Sequence, residues 1–282
     1  RGNPGLVLDA HARVLQWGKT MRATTLDIAA TVAPGTETSV AFDKRALQIT
    51  VNGTGVMVPQ GELTTAQIKI AGTLARHDAT IVAAGDGFAI AAGLAGGLED
   101  RKQGDGRTDL TWSGNVSRLS NTGSVPLALQ APATLVLARA RIEVGTARIA
   151  IAEGRADIER LVVDAGRVDT RGSFTGIPVT AVARLAGTKL PFASTVVLGG
   201  DWAVTAAPKL NGSFNVQRES GDWFTAESVS LDVSERAIGI TALDLTGRFV
   251  DDALDASARL RSSRGGTADA TFTLAAGSVA GI

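Results

Sequence analysis

The sequence predicts an all-β protein of short, mostly antiparallel strands, and three observations carry that expectation. Apolar residues recur two apart in bursts, as at Ile142 and Val144, Ile149 and Ile151, and Leu161 and Val163. Such alternation gives a strand one apolar face and one wetted face. Turn residues punctuate the same stretch at Gly145, Gly154, Gly166 and Gly176, where glycine supplies the positive φ of tight hairpins. Aromatic residues are only 4% of the chain and tyrosine is absent, which leaves few of the large side chains that fill a closed core. An elongated sheet with an aliphatic face is therefore expected, with helix well below the usual third of residues.

Taken in order, Leu6, Leu8, Ala10, Ala12 and Val14 alternate with Asp9, His11 and Arg13. Leu26, Ile28, Ala30 and Val32 repeat the pattern and end at a Pro34-Gly35 turn. Val40 and Phe42 form a further burst, followed by Leu47, Ile49 and Val51, then Val56 and Val58. Asn52-Gly53 between the last two reads as a hairpin turn. Leu63, Ile68 and Ile70 precede Gly72, and Ala79, Ile81 and Ala83 precede Gly85-Asp86-Gly87. Phe88, Ile90, Ala92 and Leu94 finish a first section, 1–98.

Glu99 to Asp109 is polar and aperiodic, hence an exposed loop and a weak boundary before a second section, 110–282. Leu110 and Trp112 resume the alternation; Leu127 with Leu129, and Leu135 with Leu137, supply short strands. Between Ile158 and Leu161 the apolar parity flips, as a bulge would allow while bending the strand. The prolines between Pro178 and Pro191 favour edges or bends. Trp202, Val204, Leu210, Phe214 and Val216 return to alternation, followed by Val229, Leu231 and Val233, then Ile238 and Ile240. Leu243 to Phe249 is answered by Leu254 to Leu260 across a turn at Asp251-Asp252, and Ala268 to Leu274 ends the series. Thr65 to Arg76 and Ala156 to Leu161 are the places where a helical turn or two is expected.

Composition narrows the function classes. With 28 basic and 28 acidic residues the net charge is zero, which does not fit a nucleic-acid binder. Zero cysteines remove disulfides and thiolate metal sites. No run approaches the 18 or so uninterrupted apolar residues of a membrane-spanning helix. The first residue is Arg1, and the chain is expected to be an internal fragment of a longer protein.

The residues do not point to an enzyme, a cofactor or a metal site. His11 and His77 are the only histidines, and each reads as a rim or surface residue. The carboxylate pairs Glu99-Asp100 and Asp251-Asp252 read as solvated turns. No nucleophile elbow, P-loop, H-E-x-x-H or EF-hand pattern occurs.

Short motifs add a resemblance. The run Trp112-Ser113-Gly114-Asn115-Val116-Ser117-Arg118-Leu119, then Pro126-Leu127-Ala128-Leu129 and Ala131-Pro132-Ala133, resembles the TamB proteins of the AsmA-like family of bacterial envelope proteins. Gly72-Thr73-Leu74 before His77, and Gly172 to Pro178, are similar to the same family. The resemblance implies a β-taco, a long sheet folded into a U around an apolar inner groove. It also implies a periplasmic segment, tethered to the inner membrane by a part not present here. The implied role is phospholipid transport between the two membranes and support of outer-membrane biogenesis, with an outer-membrane Omp85-type partner, TamA. An assembly scaffold that receives strands of outer-membrane clients and a structural β-solenoid are the rivals. An outer-membrane barrel would wear aromatic girdles that this chain lacks.

On this expectation the groove that meets phospholipid acyl chains is built by Leu26, Ile28, Leu47, Ile49, Ile68, Ile70, Ile81, Phe88, Ile90, Ile149, Ile151, Leu161, Val163, Leu231, Ile238, Ile240, Leu243 and Leu245. Arg148, Asp232 and Asp244 should face water. A carboxylate introduced at Ile149 or Ile240 should leave folding intact and obstruct lipid, provided both sit in an open trough.

Overall fold

The computed structural model describes residues 5–17, 21–34, 44–58, 61–102, 108–224 and 237–274. Over the described residues the chain is all-β with one short helix, and every strand pair detailed below is antiparallel. It divides into two compact units, Arg1–Arg139 and Ala140–Ile282. The expected burst at Val40 and Phe42, the turn residue Gly35, and the burst Val229, Leu231 and Val233 with Asp232 lie outside the described residues.

The first unit is a meander of β1 (Leu6–Trp17), β2 (Met21–Val32), β3 (Ala46–Val58), β4 (Gly61–Thr73), β5 (His77–Gly85), β6 (Phe88–Lys102) and β7 (Thr108–Asn121). Each strand pairs with the next. The short strands β8 (Leu127–Leu129) and β9 (Ala133–Ala138) both pair with β7.

Two local expectations are corrected here. Asn52-Gly53 makes no turn: β3 runs straight through it, with Asn52 opposite both Asp27 and Gln67. A hairpin there would have broken two long ladders at once, and the Asn52 side chain instead accepts from Gln67 Nε2 at 2.7 Å. Glu99 to Asp109 is no boundary and not a simple loop. Glu99–Lys102 pair with Thr108–Thr111 as two arms of a hairpin, and the compact units divide between Arg139 and Ala140. The carboxylate pair Glu99-Asp100 thus sits in a strand, where Glu99 accepts from Ser113 Oγ at 2.8 Å.

In the second unit β10 (Arg141–Val144) and β11 (Ala147–Ile151) lie against successive halves of β12 (Gly154–Asp164). The ladder continues through β13 (Arg167–Pro178), β15 (Val197–Ala206), β16 (Asn211–Ser220), β18 (Ile240–Val250), β19 (Ala253–Ser262) and β20 (Gly266–Leu274). A small two-stranded piece joins β14 (Ala193–Ser194) to β17 (Trp223–Phe224). The expected bulge is present, as the β12–β13 register shifts between Ile158 and Arg160. Both expected helical turns, at Thr65 to Arg76 and Ala156 to Leu161, are mostly strand.

The helix α1 (Val179–Leu185) falls instead in the proline-bounded stretch. Pro178 precedes it with φ −62°, which suits a helix start. Ala181 and Ala183 are buried, and helix-favouring alanine lets the turn pack closely.

The hairpin turns follow the sequence where glycine or aspartate can take left-handed backbone. Asp251-Asp252 closes the Val250–Ala253 pair with φ 52° and 72°, as a two-residue primed turn requires. Ala165-Gly166 does the same between Asp164 and Arg167, Gly166 having φ 85° and open space where a Cβ would stand. Gly166→Val should therefore cost about 1–2 kcal/mol through backbone strain alone. Gly266→Ala, also in open space but without positive φ, should be neutral or stabilising by about 0.5 kcal/mol. Urea denaturation midpoints of the two variants check the contrast, and equal losses would contradict it.

Candidate functional site

Directly paired residues of an antiparallel ladder project to the same side of the sheet, so the register assigns each face. In the first unit one row runs Ala10, Ile28, Val51, Ile68, Ile81, Ala92, Leu119 across β1 to β7. The next runs Leu8, Ala30, Ile49, Ile70, Ala79, Leu94, Val116 and on to Ala133. The predicted wall residues Leu26, Ile28, Leu47, Ile49, Ile68, Ile70, Ile81, Phe88 and Ile90 all belong to this one face.

The face is carried past a line of coordinated irregularities. The pairing omits Val14 with Thr24 and Gly55 with Thr64, and Val14 and Gly55 both have φ 54°. Parity changes together in the four strands. Beyond the line Leu15, Ala23, Val56 and Leu63 continue the apolar side, Leu63 opposite Gly85. Val14 itself, expected in the alternation, is 64% exposed. Bulges in register across neighbouring strands bend the sheet without exposing its apolar set.

In the second unit a row runs Ile149, Ala156, Phe174, Gly200, Val216, Leu245, Ala258, Ala270. A parallel row runs Ile158, Gly172, Trp202, Phe214, Gly247, Ala256, Phe272. Through the Ile158/Arg160 bulge, Leu161 and Val163 stay on the same side, as do Ile151 and Leu243. Among the predicted wall residues with described side chains, only Leu47 at 8% and Ile240 at 3% are buried; the others are half-buried. A side chain in a sandwich core would be covered at its tip. Here the neighbours in a row shield the flanks, and the substantial contacts between strands are between hydrogen-bonded neighbours.

Three predicted positions depart from this picture. Leu231 lies outside the described residues. Ile240 and Ile238 are not open wall: Ile240 packs with buried Val196 and Leu198, and Ile238, Val179 and Trp223 close around them. Phe174, Val216, Leu243 and Leu260 of the sheet meet the same cluster. The connection between β13 and β15, which carries α1 and β14, thus packs onto one end of the sheet face. The alternation Ile238, Ile240 is indistinguishable in sequence from open-wall alternation. Only the return of Val196 from far along the chain separates them.

Several floor residues escaped the aliphatic reading because they are aromatic. Trp112 pairs with Leu98 and Leu137 on the apolar face of the first unit. Its indole N–H donates to His77 Nε2 at 2.9 Å, while His77 Nδ1 donates to the Thr73 carbonyl at 2.9 Å. His77 is 9% exposed, not a surface residue as expected. It lies between Gly72 and Gly96, and the absence of side chains there makes room for its ring. His11, in contrast, is exposed and pairs with Asp27 on the polar face. In the second unit Trp202 lies over Gly172, where a Cβ would stand 2.6 Å from the ring, and donates to Thr170 Oγ1 at 3.0 Å. Phe214 covers Gly247 in the same way. Rings that lie down over glycine leave the face nearly level.

The opposite faces carry most of the charged and polar side chains, with aliphatic exceptions such as Val7, Val82 and the buried Val162. Thr25 and Thr54 hydroxyls meet at 2.7 Å in the first unit. In the second, Arg148 and Arg155 hold Asp157 at 2.6 and 2.8 Å, Arg160 holds Asp169 at 2.8 Å, and Arg259 holds Asp269 at 2.9 Å. Arg148 and Asp244 project away from the apolar face as expected, Asp244 opposite Arg259; Asp232 lies outside the described residues. The Arg148 hydrogen bond holds the Asp157 carboxyl below its ordinary value, against partial desolvation and with help from the nearby Arg155 charge. Exposed pairs of this kind contribute little to stability. Their value lies in keeping charges on one side of the ladder. Among the described residues no cluster of three or more histidines or carboxylates could hold a metal ion.

Two outcomes follow. Gly172→Val should lift the Trp202 ring, cost about 1–3 kcal/mol by overpacking, and change the tryptophan emission; unchanged emission and melting would contradict the stacked geometry. Because Asp157 is depressed, its contribution is present at neutral pH and fades below about pH 4 as the carboxylate protonates. Parent protein should lose more stability between pH 7 and pH 3 than Asp157→Asn, read as the difference in melting temperature.

Comparison with protein-family models, curated proteins and solved structures finds no match to this chain.

Proposed function

We propose that the two apolar sheet faces bind hydrocarbon chains, and that the protein is a TamB-like periplasmic segment, non-enzymatic, which guides phospholipid between the inner and outer membranes. The observation that supports this most directly is the half-burial of Ile28, Ile49, Ile68, Ile81, Ile149 and Leu245, on faces that, away from the Val196 cluster, no second layer of strands covers among the described residues. Each Å² of apolar surface taken from water is worth about 25 cal/mol, so an uncovered aliphatic face of this extent favours an apolar occupant. Acyl chains suit it: they need no hydrogen bonds, and a level floor of aliphatic side chains and recumbent rings offers none. An inner-membrane tether and an outer-membrane Omp85-type partner belong to the same reading, through the family resemblance of the Trp112 region.

One observation favours a second reading. All nine residues of β20 are exposed, and β19 is its partner in the ladder, so its outer edge could accept a client strand. The reading as an assembly scaffold requires bound peptide, whereas the conduit requires bound lipid.

The packing of Ile240 changes the mutation that tests the conduit. Ile240→Asp would bury an unpaired charge in the Val196 cluster and should abolish cooperative folding, a loss of about 4 kcal/mol or more. Ile149→Asp puts its carboxylate on the half-buried wall, where water can reach it, so the melting curve should stay close to the parent's. With a photo-crosslinking residue at Ala258 in the same row, parent protein should capture phospholipid in cells and Ile149→Asp should capture severalfold less. Ile149→Asp that folds and crosslinks lipid as well as the parent, in cells with an intact outer membrane, would sink the conduit reading. Recovery of peptide in place of lipid would favour the scaffold.

A further inference from the structure

The wall of the second unit carries one charged side chain among its described, paired residues. Arg218 stands opposite Leu198 and two positions beyond Val216, so its Cβ leaves β16 on the apolar side. Every other residue that the register puts on this face is aliphatic, aromatic, glycine, serine or threonine. Arg141, Arg148, Arg155, Arg160 and Arg259, on the polar side, each hold a carboxylate. Arg218 holds none. Its Nε–H donates to the Gly221 carbonyl at 2.8 Å and one Nη1–H to the Thr241 carbonyl at 3.4 Å.

These two bonds steady the guanidinium at the margin of the sheet and occupy two of its five N–H groups. The remaining donors form a fork suited to phosphate oxygens. Phe214 lies four residues along the same strand, roughly 13 Å away at about 3.3 Å per residue, with Trp202 beside it. A fixed cation therefore stands at one end of an apolar strip.

We propose that Arg218 binds the phosphate head of an amphiphile whose hydrocarbon chain lies along Val216, Phe214 and Trp202. This rests on the reading of the face as an alkyl-binding wall and adds a headgroup site and a polarity to it. The occupant enters tail first along the wall and stops with its head at Arg218, beside the closed Val196–Ile240 cluster.

The test uses the full chain and two single-chain probes of equal length, a lysophosphatidic acid and a neutral monoacylglycerol, followed by tryptophan fluorescence below their micellar concentrations. Parent protein should bind the phosphate form about tenfold more tightly, as one charge-assisted contact provides. Arg218→Gln should bring both probes to the parent's affinity for the neutral one. A preference that survives in Arg218→Gln overturns the proposal. So does inorganic phosphate alone competing as well as the lysolipid, since the site would then not need the chain. Absence of binding by either probe to the parent overturns the alkyl-binding reading itself. Should Arg218→Gln lose the parent's melting transition, the parent decides: its preference should shrink as ionic strength rises, and a salt-independent preference overturns the proposal.

Discussion

Parity is the constraint on which the structure depends. In an antiparallel ladder each strand passes its inside-outside assignment to the next through direct pairing. A slip of one residue at any strand would send a whole set of leucines and isoleucines into water and a set of arginines onto the wall. The first unit keeps parity across seven strands and the second across its whole ladder. Where a strand must bend, the extra residue is matched in its neighbours, as along the line through Val14, Thr24, Gly55 and Thr64, so the apolar set changes parity together. Single shifts, such as Ile158/Arg160 in β12 and Gly93/Leu94 between β6 and β7, do the same work locally.

The paucity of aromatic residues takes on meaning in this setting. Trp112, Trp202 and Phe214 lie over glycines of adjacent strands and hand their polar atoms to His77 and Thr170 where they have them. Standing upright, the same rings would divide the wall into compartments. The closed cluster around Val196, Leu198 and Ile240 is the exception, and there side chains from distant parts of the chain cover one another fully. The second unit thus combines two regimes: a packed end that should respond to substitution like an ordinary core, and a wall whose side chains keep one side free. Arg218 sits where the two meet.

Polar chemistry is arranged to leave the apolar side undisturbed. The Arg148–Asp157–Arg155 group and the Arg160–Asp169 and Arg259–Asp269 pairs lie on the far face, where solvent screens them and their net contribution is small. Their placement nonetheless penalises a slipped register, because a slip would part cross-strand partners such as Arg148 and Asp157 or Arg259 and Asp269 and set charges among the aliphatic side chains.

By itself the sequence determined the class of fold, most of the described strands, turns such as Asp251-Asp252 and Ala165-Gly166, and the shared face of most alternating aliphatic residues, because period-two alternation and turn chemistry are local properties. The Ile158 to Leu161 parity flip is legible for the same reason. Tertiary structure alone decided whether a given alternation is open or covered. Ile149 and Ile240 look alike in sequence, yet Val196 and Leu198 return to bury one and leave the other half in water. Long-range pairing also overruled local signals: Asn52-Gly53 has the chemistry of a turn, but β2 and β4 offered it unbroken partners on both sides. His77 was hidden for a like reason, since its burial depends on Trp112, 35 residues away. Local chemistry sets what each segment prefers, and contacts made at a distance choose among those preferences.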